Sequence, residues 1–377
     1  MIKKVVLGAA ALMMGSVLTA QVSSTVKQSN GPILGPGSTA NFHQSGKFIK
    51  SEVDQTGALN LANINQVGYG LLSDADQWGY KNDAGVEQTG KGQYSKVKQE
   101  GKTNLSRTTQ AGALNKSVTI QQSPLLSYSD GNQSYVDQHG IYLDSKVRQK
   151  GTENFSDVQQ SGAGHESSVT SIGHGNRSNV NQTSHEKNVS DVDQYGAYNM
   201  SAVDQGKGYN YSDVDQKGFK NTSSVVQVYG KNSSTVLQNG DFNASSVNQT
   251  AGKRNKSKVE QEGNGSTSNV DQIKGSNDSY VYQYGAGHYS GNVSNVSQKY
   301  GNDNKSKVYQ IGKKNTSSVA QEGPWVDNIS LVVQKGAYNT SNVNQFGTHG
   351  VNVSSVSQHG IGHTANVTQA SGALIFP

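Results

Sequence analysis

The chain has 377 residues, of which 32% are hydrophobic and 16% charged, and its mean hydropathy of −0.68 is typical of chains that stay disordered. Its net charge of +5 falls to +3 once the two lysines near the start are set aside, which is too nearly balanced for a nucleic-acid binder. Because cysteine is absent, disulfides cannot stabilise the fold.

The first 20 residues have the pattern of a secretory signal peptide. Two lysines precede an apolar run from Val5 to Leu18, and Thr19-Ala20 offers a cleavage point. The run is too short for a membrane span that also needs flanking residues. We therefore expect an exported protein whose mature chain begins near Gln21.

Three further segments follow the signal. Residues 21–43 hold a degenerate repeat and are where we expect any export address to lie. Residues 44–370 are a long array of repeats, and residues 371–377 form a short apolar tail.

A polar unit, N-x-S-x-V-x-Q-x-G, recurs about every eleven residues along the array. Its glutamine marks thirty units, with Ser171 in its place once. Within a unit the recurring residues are two apart, as at Asn199, Ser201, Val203 and Gln205, which is the period of a β-strand with this face turned inward. The glycine after each glutamine, followed by two or three variable residues, is expected to supply the turn.

Two strands and two turns make a coil of about 22 residues, so the sequence predicts an all-β, amyloid-like β-solenoid of about fifteen coils with two strands per coil. Unit n then lies on unit n−2, and equivalent amides stack into hydrogen-bonded ladders. All five prolines, which cannot donate to such ladders, fall in longer gaps or at the chain end. A disordered polar tract is the alternative, but random polar sequence would not hold valine two residues before the glutamine in most units.

The ladder residues that we expect to carry self-assembly are amides of the inner face, at both ends of the array and within it. They are Gln44, Gln55, Asn104, Gln110, Gln149, Asn154, Gln160, Asn199, Gln205, Gln216, Gln310, Gln321, Gln345, Gln358 and Gln369.

Aspartate often directly precedes the marker glutamine, on the face expected to point outward. Asp54 and Asp76 are 22 residues apart, as are Asp193 and Asp215, so each pair should meet on adjacent coils. Like charges so placed cost roughly 0.2–1 kcal/mol. We expect these aspartates to act as gatekeepers that slow assembly.

Little in the sequence supports an enzyme. The nine histidines fall at unrelated phases of the repeat and show no H-E-x-x-H spacing. The aspartates recur with the repeat, as a solvated face does, and the Gly-Gly-x-Gly-x-Asp repeat of calcium-binding solenoids is absent. We expect no catalytic residue, cofactor, metal site or small-molecule substrate.

The repeat resembles that of the curlin family, the amyloid subunits of curli fibres on Gram-negative bacteria. Residues 149–160 read Q-K-G-T-E-N-F-S-D-V-Q-Q against the family's Q-x-G-x-x-N-x-A-x3-Q, and residues 310–321 and 334–345 match equally well. The resemblance spans essentially the whole mature chain. A typical curlin alternates two unlike half-coils and has about a third as many coils, whereas both halves here carry Asn and Ser at the same phase.

This resemblance implies a secreted fimbrial protein that self-assembles head-to-tail into amyloid fibres, in a biofilm matrix or for cell adhesion. It also implies three kinds of partner, a nucleator subunit, an outer-membrane secretion pore and periplasmic accessory proteins. The resemblance leaves open a major subunit, a nucleator or a long adhesin.

The sequence independently suggests open ends, because no segment looks like a cap and uncapped solenoids form filaments. A monomeric solenoid adhesin is the alternative from another class. An ice-binding solenoid is disfavoured by its mixed, charged outer positions.

Overall fold

The computed structural model describes residues 21–29, 37–125, 131–285, 291–301, 303–324 and 326–371. These residues form thirty β-strands and two compact units, of which unit 1 ends at His185 and unit 2 begins at Glu186. The predicted signal peptide and nearly all of the apolar tail lie outside the described residues. Strand pairing begins inside segment 21–43, which contributes β1 and part of β2.

Unit 1 contains fourteen strands, most of them nine residues long. They are β1 (Val22–Ser29), β2 (Thr39–Lys47), β3 (Ile49–Ala58), β4 (Leu61–Tyr69), β5 (Leu72–Tyr80), β6 (Asp83–Lys91), β7 (Tyr94–Lys102), β8 (Leu105–Ala113), β9 (Lys116–Gln122), β10 (Gln133–Ile141), β11 (Asp144–Thr152), β12 (Phe155–Ala163), β13 (Glu166–His174) and β14 (Arg177–Ser184).

Unit 2 contains sixteen strands. They are β15 (Val189–Ala197), β16 (Met200–Gln205), β17 (Tyr211–Phe219), β18 (Thr222–Gly230), β19 (Ser233–Asn239), β20 (Ala244–Gly252), β21 (Lys256–Gly263), β22 (Thr267–Gly275), β23 (Asp278–Gly285), β24 (Val293–Lys299), β25 (Lys305–Lys313), β26 (Thr316–Glu322), β27 (Val326–Ala337), β28 (Thr340–Gly347), β29 (Gly350–Ile361) and β30 (Thr364–Ser371).

Each unit is a stack of two-stranded coils, seven in unit 1 and eight in unit 2. Within each unit the odd-numbered strands form one parallel sheet, sheet A, and the even-numbered strands form the other, sheet B. Equivalent repeat positions pair across a 22-residue step, as Val136 with Val158 and Gln138 with Gln160. The predicted two-strand β-solenoid of about fifteen coils is confirmed.

The inner face carries the constant residues of the repeat. In a middle coil, Ser156, Val158 and Gln160 are at most 2% exposed, while the residues between them are half-buried or exposed. The interior is thus one valine per strand between small hydroxyls and amides. Because so little apolar area is available, backbone and amide ladders must supply much of the stability.

The turn differs in detail from the sequence-based expectation. Gly151 belongs to the end of β11, and it is required there because a Cβ on it would lie 2.0 Å from the carbonyl oxygen of Gly173 on the next coil. The chain reverses two residues later, where Glu153 has a left-handed φ of 57°. Glycine therefore permits close coil stacking, and a different residue makes the turn.

Longer gaps in the sequence leave the stacking register unchanged. The two described prolines, Pro124 and Pro324, lie between strands, and the other three are outside the described residues. Across the gap that contains Pro124, the Gln110 side chain still donates to that of Gln138 at 2.7 Å. The longer gap therefore does not displace the ladder.

The expectation of two equivalent half-coils is wrong for unit 1. In sheet A of unit 1, the buried position six residues before the marker position is mostly not asparagine, whereas sheet B keeps asparagine from Asn60 onward. The sheet A series is Ile49, Leu71, Gln93, Asn115, Leu143 and His165. In unit 2 the corresponding sheet A positions are all asparagine, from Asn188 to Asn352. Unit 1 therefore alternates two unlike half-coils.

Candidate assembly surfaces

Glutamine ladders run along the inside of both sheets. In sheet B of unit 1, Gln138 Nε2 donates to Gln160 Oε1 at 2.8 Å, and in unit 2 Gln205 does the same to Gln227 at 2.9 Å. The second N–H of Gln205 donates to the carbonyl of Val189 on the facing sheet at 2.9 Å. Each such amide links its coil both to the next coil and to the opposite strand. The sequence pattern predicted only the bond to the next coil.

Asparagine ladders run in the opposite direction. Asn154 Nδ2 donates to Asn132 Oδ1 on the preceding coil at 2.9 Å, and also to the carbonyl of Gly173 on the following coil at 3.1 Å. The asparagine backbone N–H donates to the same column, as Asn221 does to Asn199 Oδ1 at 3.0 Å. These bonds satisfy carbonyls at the turn, so the asparagine also fixes the chain reversal.

The predicted ladder residues lie in these columns. The amides of Gln44, Gln55, Asn104, Gln110, Gln149, Asn154, Gln160, Asn199, Gln205, Gln216, Gln310, Gln321, Gln345, Gln358 and Gln369 each bond to the equivalent amide of a neighbouring coil. Gln149, which faces Ser171, donates instead to the carbonyl of Gln133 and to Ser156 Oγ.

His165 occupies an asparagine position and reproduces its contacts. Its Nε2 lies 3.1 Å from the carbonyl oxygens of both Ser161 and Ser184, four residues before it and nineteen after it. An asparagine Nδ2 reaches the same two positions. Burial lowers the pKa of the imidazole below its ordinary value, so the neutral ring with a proton on Nε2 suits this site.

The terminal coils expose what the middle coils bury. Val158 and Val214 are 0% exposed, whereas the equivalent inner-row valines of the first and last strands, Val26 and Val367, are only half-buried. Within the described residues, β1 and β2 pair on one side only, as do β29 and β30. Both ends therefore present strand edges and half-exposed inner rows to which a further coil could pair.

The aspartate pairs meet as expected. Asp54 is the register partner of Asp76, and Asp193 that of Asp215. All four are half-buried rather than freely solvated. Burial, and after it repulsion from Asp74, raises the pKa of the Asp76 carboxyl, although Lys96 Nζ lies 3.6 Å away.

The second aspartate pair belongs to a larger acidic cluster that the sequence analysis missed. Asp191 pairs with Asp213 directly beside Asp193 and Asp215, so four carboxylates share two adjacent strands. Burial, then repulsion from the other three, raises the pKa of the Asp213 carboxyl. Lys217 Nζ offsets part of the charge at 2.8 Å from Asp215. The sequence signal for this cluster is the Asp-Val-Asp tripeptide, which occurs at residues 191–193 and again at 213–215.

Among the described residues, no three histidine, aspartate or glutamate side chains are grouped so that they could hold a metal ion. No helix in this part of the chain is long and apolar enough to cross a membrane.

No protein-family model matches the sequence, and no curated protein matches it.

Proposed function

We propose that this protein is a structural subunit of extracellular, curli-like amyloid fibres and that it self-assembles head-to-tail. The observation that carries the proposal is the pair of open coil ends, where strand edges and inner-row residues have a neighbour on one side only. Unpaired strand edges bind further strands, and end-to-end contacts that do not close produce filaments.

A second copy stacked on the last coil would extend both sheets. Its β1 would follow β29 in sheet A and its β2 would follow β30 in sheet B, so the alternation of strands continues. The half-buried Gln369, whose Nε2 now bonds the carbonyl of Val353, would then face the Gln44 side chain of the incoming copy. The new contact would repeat the interior contact between coils.

The motif resemblance supports the cellular context of this proposal. A secreted subunit of a Gram-negative fimbrium would pass through an outer-membrane pore with the help of periplasmic accessory proteins and would elongate from a nucleator subunit. Biofilm cohesion and surface adhesion are the roles such a fibre would serve.

The test is to dissolve residues 21–377 in denaturant, dilute them into buffer and follow fibre formation by electron microscopy. We expect fibres whose diffraction shows a repeat near 4.8 Å along the axis, with strands perpendicular to that axis. A soluble monomer that stays folded for days would contradict polymerisation.

A monomeric surface adhesin is the second candidate, because large aromatic side chains stand exposed at the turns. Tyr142 is 64% exposed and Tyr338 57%. An adhesin would bind its surface at concentrations where no fibres exist. A nucleator would instead shorten the lag of another subunit at substoichiometric amounts.

A further inference from the structure

One edge of unit 2 is predominantly basic over five successive coils. The chain passes there from sheet B back to sheet A, in residues 206–210, 228–232, 251–255, 273–277, 299–301 and 303–304. These segments contain six cations, three tyrosines and one carboxylate, Asp303. We call them the basic edge, and its members are Lys207, Lys231, Lys253, Arg254, Lys274 and Lys299 with Tyr209, Tyr229 and Tyr300.

Side-chain contacts join neighbouring coils at both ends of this edge. Lys207 Nζ lies 5.7 Å from the ring centre of Tyr229, and the backbone N–H of Tyr229 donates to the carbonyl of Lys207 at 2.6 Å. Further along, Lys274 Nζ lies 4.9 Å from the ring centre of Tyr300. Cations therefore lie against aromatic rings at both ends of the edge.

The charge of the basic edge is available to a ligand. In the described part of unit 2, none of its six cations is paired with a carboxylate, and all but the half-buried Lys299 are exposed. The tyrosines Tyr209, Tyr229 and Tyr300 are 56%, 54% and 43% exposed. The carboxylates lie at the two ends of the edge, where Glu186 accepts the Gly208 N–H at 3.1 Å and Asp303 follows Tyr300.

The opposite edge of the same coils lacks this charge pattern. That edge also carries a carboxylate, Asp241, whose Oδ1 accepts the backbone N–H of Phe219, the residue before Lys220, at 2.9 Å. Phe219 and Phe242 pack edge to face, with ring centres 5.4 Å apart. The basic edge is therefore a local segregation of charge, which the nearly balanced net charge of the chain conceals.

We propose that the basic edge binds an extended anionic polysaccharide that carries one carboxylate per sugar ring. Coils advance by about 4.8 Å, so the five coils present cations at roughly that step over about 19 Å. Duplex DNA carries a charge about every 1.7 Å, a much denser array than the edge can match. A polyuronate comes closer to one carboxylate per coil, and the C–H faces of its rings can pack on the tyrosines.

This binding uses only unit 2 side chains, so it does not depend on polymerisation. The test measures binding of the chain, residues 21–377, to fluorescent polygalacturonate, in freshly diluted monomer and in fibres. We expect the triple variant Lys231→Gln, Lys253→Gln, Arg254→Gln to bind at least tenfold more weakly and to lose most of the salt dependence of binding. The control variant Lys220→Gln, Lys313→Gln, Lys314→Gln loses equal charge elsewhere and should bind within twofold of the unmodified chain.

The aromatic contribution has its own matched pair of variants. Tyr229 on the basic edge and Tyr198 on the opposite edge both have a left-handed φ, of 58° and 56°, so replacing either by leucine disturbs the backbone equally. We expect Tyr229→Leu to weaken polygalacturonate binding several-fold and Tyr198→Leu to leave it unchanged. Equal weakening by the two triple variants would overturn the proposal, as would tighter binding of single-stranded DNA than of polygalacturonate at the same salt concentration.

Discussion

Single residues in this protein do more than one task at once. An inner glutamine such as Gln216 donates to Gln238 on the next coil at 2.8 Å and to the carbonyl of Met200 on the facing strand at 2.9 Å. An inner asparagine holds both its own column and the turn carbonyls. The marker residues recur because each makes a set of hydrogen bonds that no apolar side chain of the same size could make.

The left-handed turn position is a site of backbone strain. Sixteen described residues other than glycine have a positive φ, most of them four residues after the marker glutamine. Tyr142, at 56°, is one of them, and its side chain is 64% exposed. Such a conformation costs an L-residue about 1–2 kcal/mol, and glycine avoids that cost.

We therefore predict that Tyr142→Gly is more stable than Tyr142→Ala by about 1 kcal/mol, since both lose the ring and only the alanine keeps the strain. The measurement is amide hydrogen exchange in β10 and β12, which reports the free energy of local opening. Equal protection in the two variants would show that the turn is not strained.

His165 makes the stability of its coil depend on pH. Because burial lowers the pKa of the folded-state imidazole below its ordinary value of 6.5, the unfolded chain takes up a proton at a higher pH than the folded chain. Its contribution is complete above about pH 6.5 and is lost as the pH falls from there through the lower folded-state pKa. A smaller electrostatic contribution from His185 lowers the same pKa further.

We predict that His165→Asn removes this loss, because asparagine makes the same bonds without titrating. Hydrogen exchange in β13 should show the unmodified chain less protected at pH 5 than at pH 7.5, and the variant equally protected at both after correction for intrinsic rates. His363→Asn, at an equivalent but exposed position, is the control. A pH dependence that survives in His165→Asn would assign the effect to another group.

At the scale of the strand, the outer face decides how readily coils stack. Like charges meet in register at Asp54 and Asp76, and at the four-carboxylate cluster of β15 and β17. Since burial and repulsion raise the pKa of Asp76 and Asp213, both destabilise the charged native state at neutral pH. That penalty is relieved as the pH falls toward the folded-state pKa.

We predict that replacing Asp54, Asp76, Asp193 and Asp215 by asparagine shortens the lag before fibres appear, and that lowering the pH from 7 toward 4 shortens it for the unmodified chain more than for the variant. Thioflavin fluorescence and electron microscopy give the lag. A variant carrying Asp278→Asn and Asp327→Asn, away from these pairs, serves as the control. An unchanged or longer lag in the fourfold variant would contradict the gatekeeper role.

The sequence predicts the strands, their register and the buried rows. A period of two inside a period of eleven allows only one assignment of residues to the inner and outer faces. The turn could not be predicted, because a residue such as Glu153 gives no sign of a positive φ in its side chain. The unlike half-coils of unit 1 were visible at Leu71 and Leu143 but were hidden by averaging the repeat over the whole array. The partial burial of Asp76 depends on its neighbours across strands, which the linear pattern does not show.

At the scale of the whole molecule, the ends and the middle are expected to behave differently. Gln205 and Gln216 lie within their columns, and each donates to the glutamine of the next coil. Gln358 and Gln369 receive a bond from the preceding coil and have no glutamine beyond them in the described residues. An amide lost in the middle should cost about 1 kcal/mol of local stability.

We predict that the double variant Gln358→Ala, Gln369→Ala slows seeded elongation more than it lowers stability, because it removes part of the surface on which a new copy pairs. The matched variant Gln205→Ala, Gln216→Ala should lower local protection and leave elongation nearly unchanged. Elongation rates on preformed seeds and hydrogen exchange are compared for both. Equal slowing in the two variants would show that growth does not proceed through the terminal coil.

The opposed amide ladders also give the stack a polarity. Glutamine Nε2 groups point toward the C-terminal coil, as from Gln334 to Gln358, and asparagine Nδ2 groups point back, as from Asn352 to Asn328. A copy that arrived upside down would set N–H against N–H in the glutamine rows and carbonyl against carbonyl in the asparagine rows. The same amides that hold the coils together therefore also set the orientation of an incoming copy. The two ends of a molecule made of near-identical repeats remain distinct.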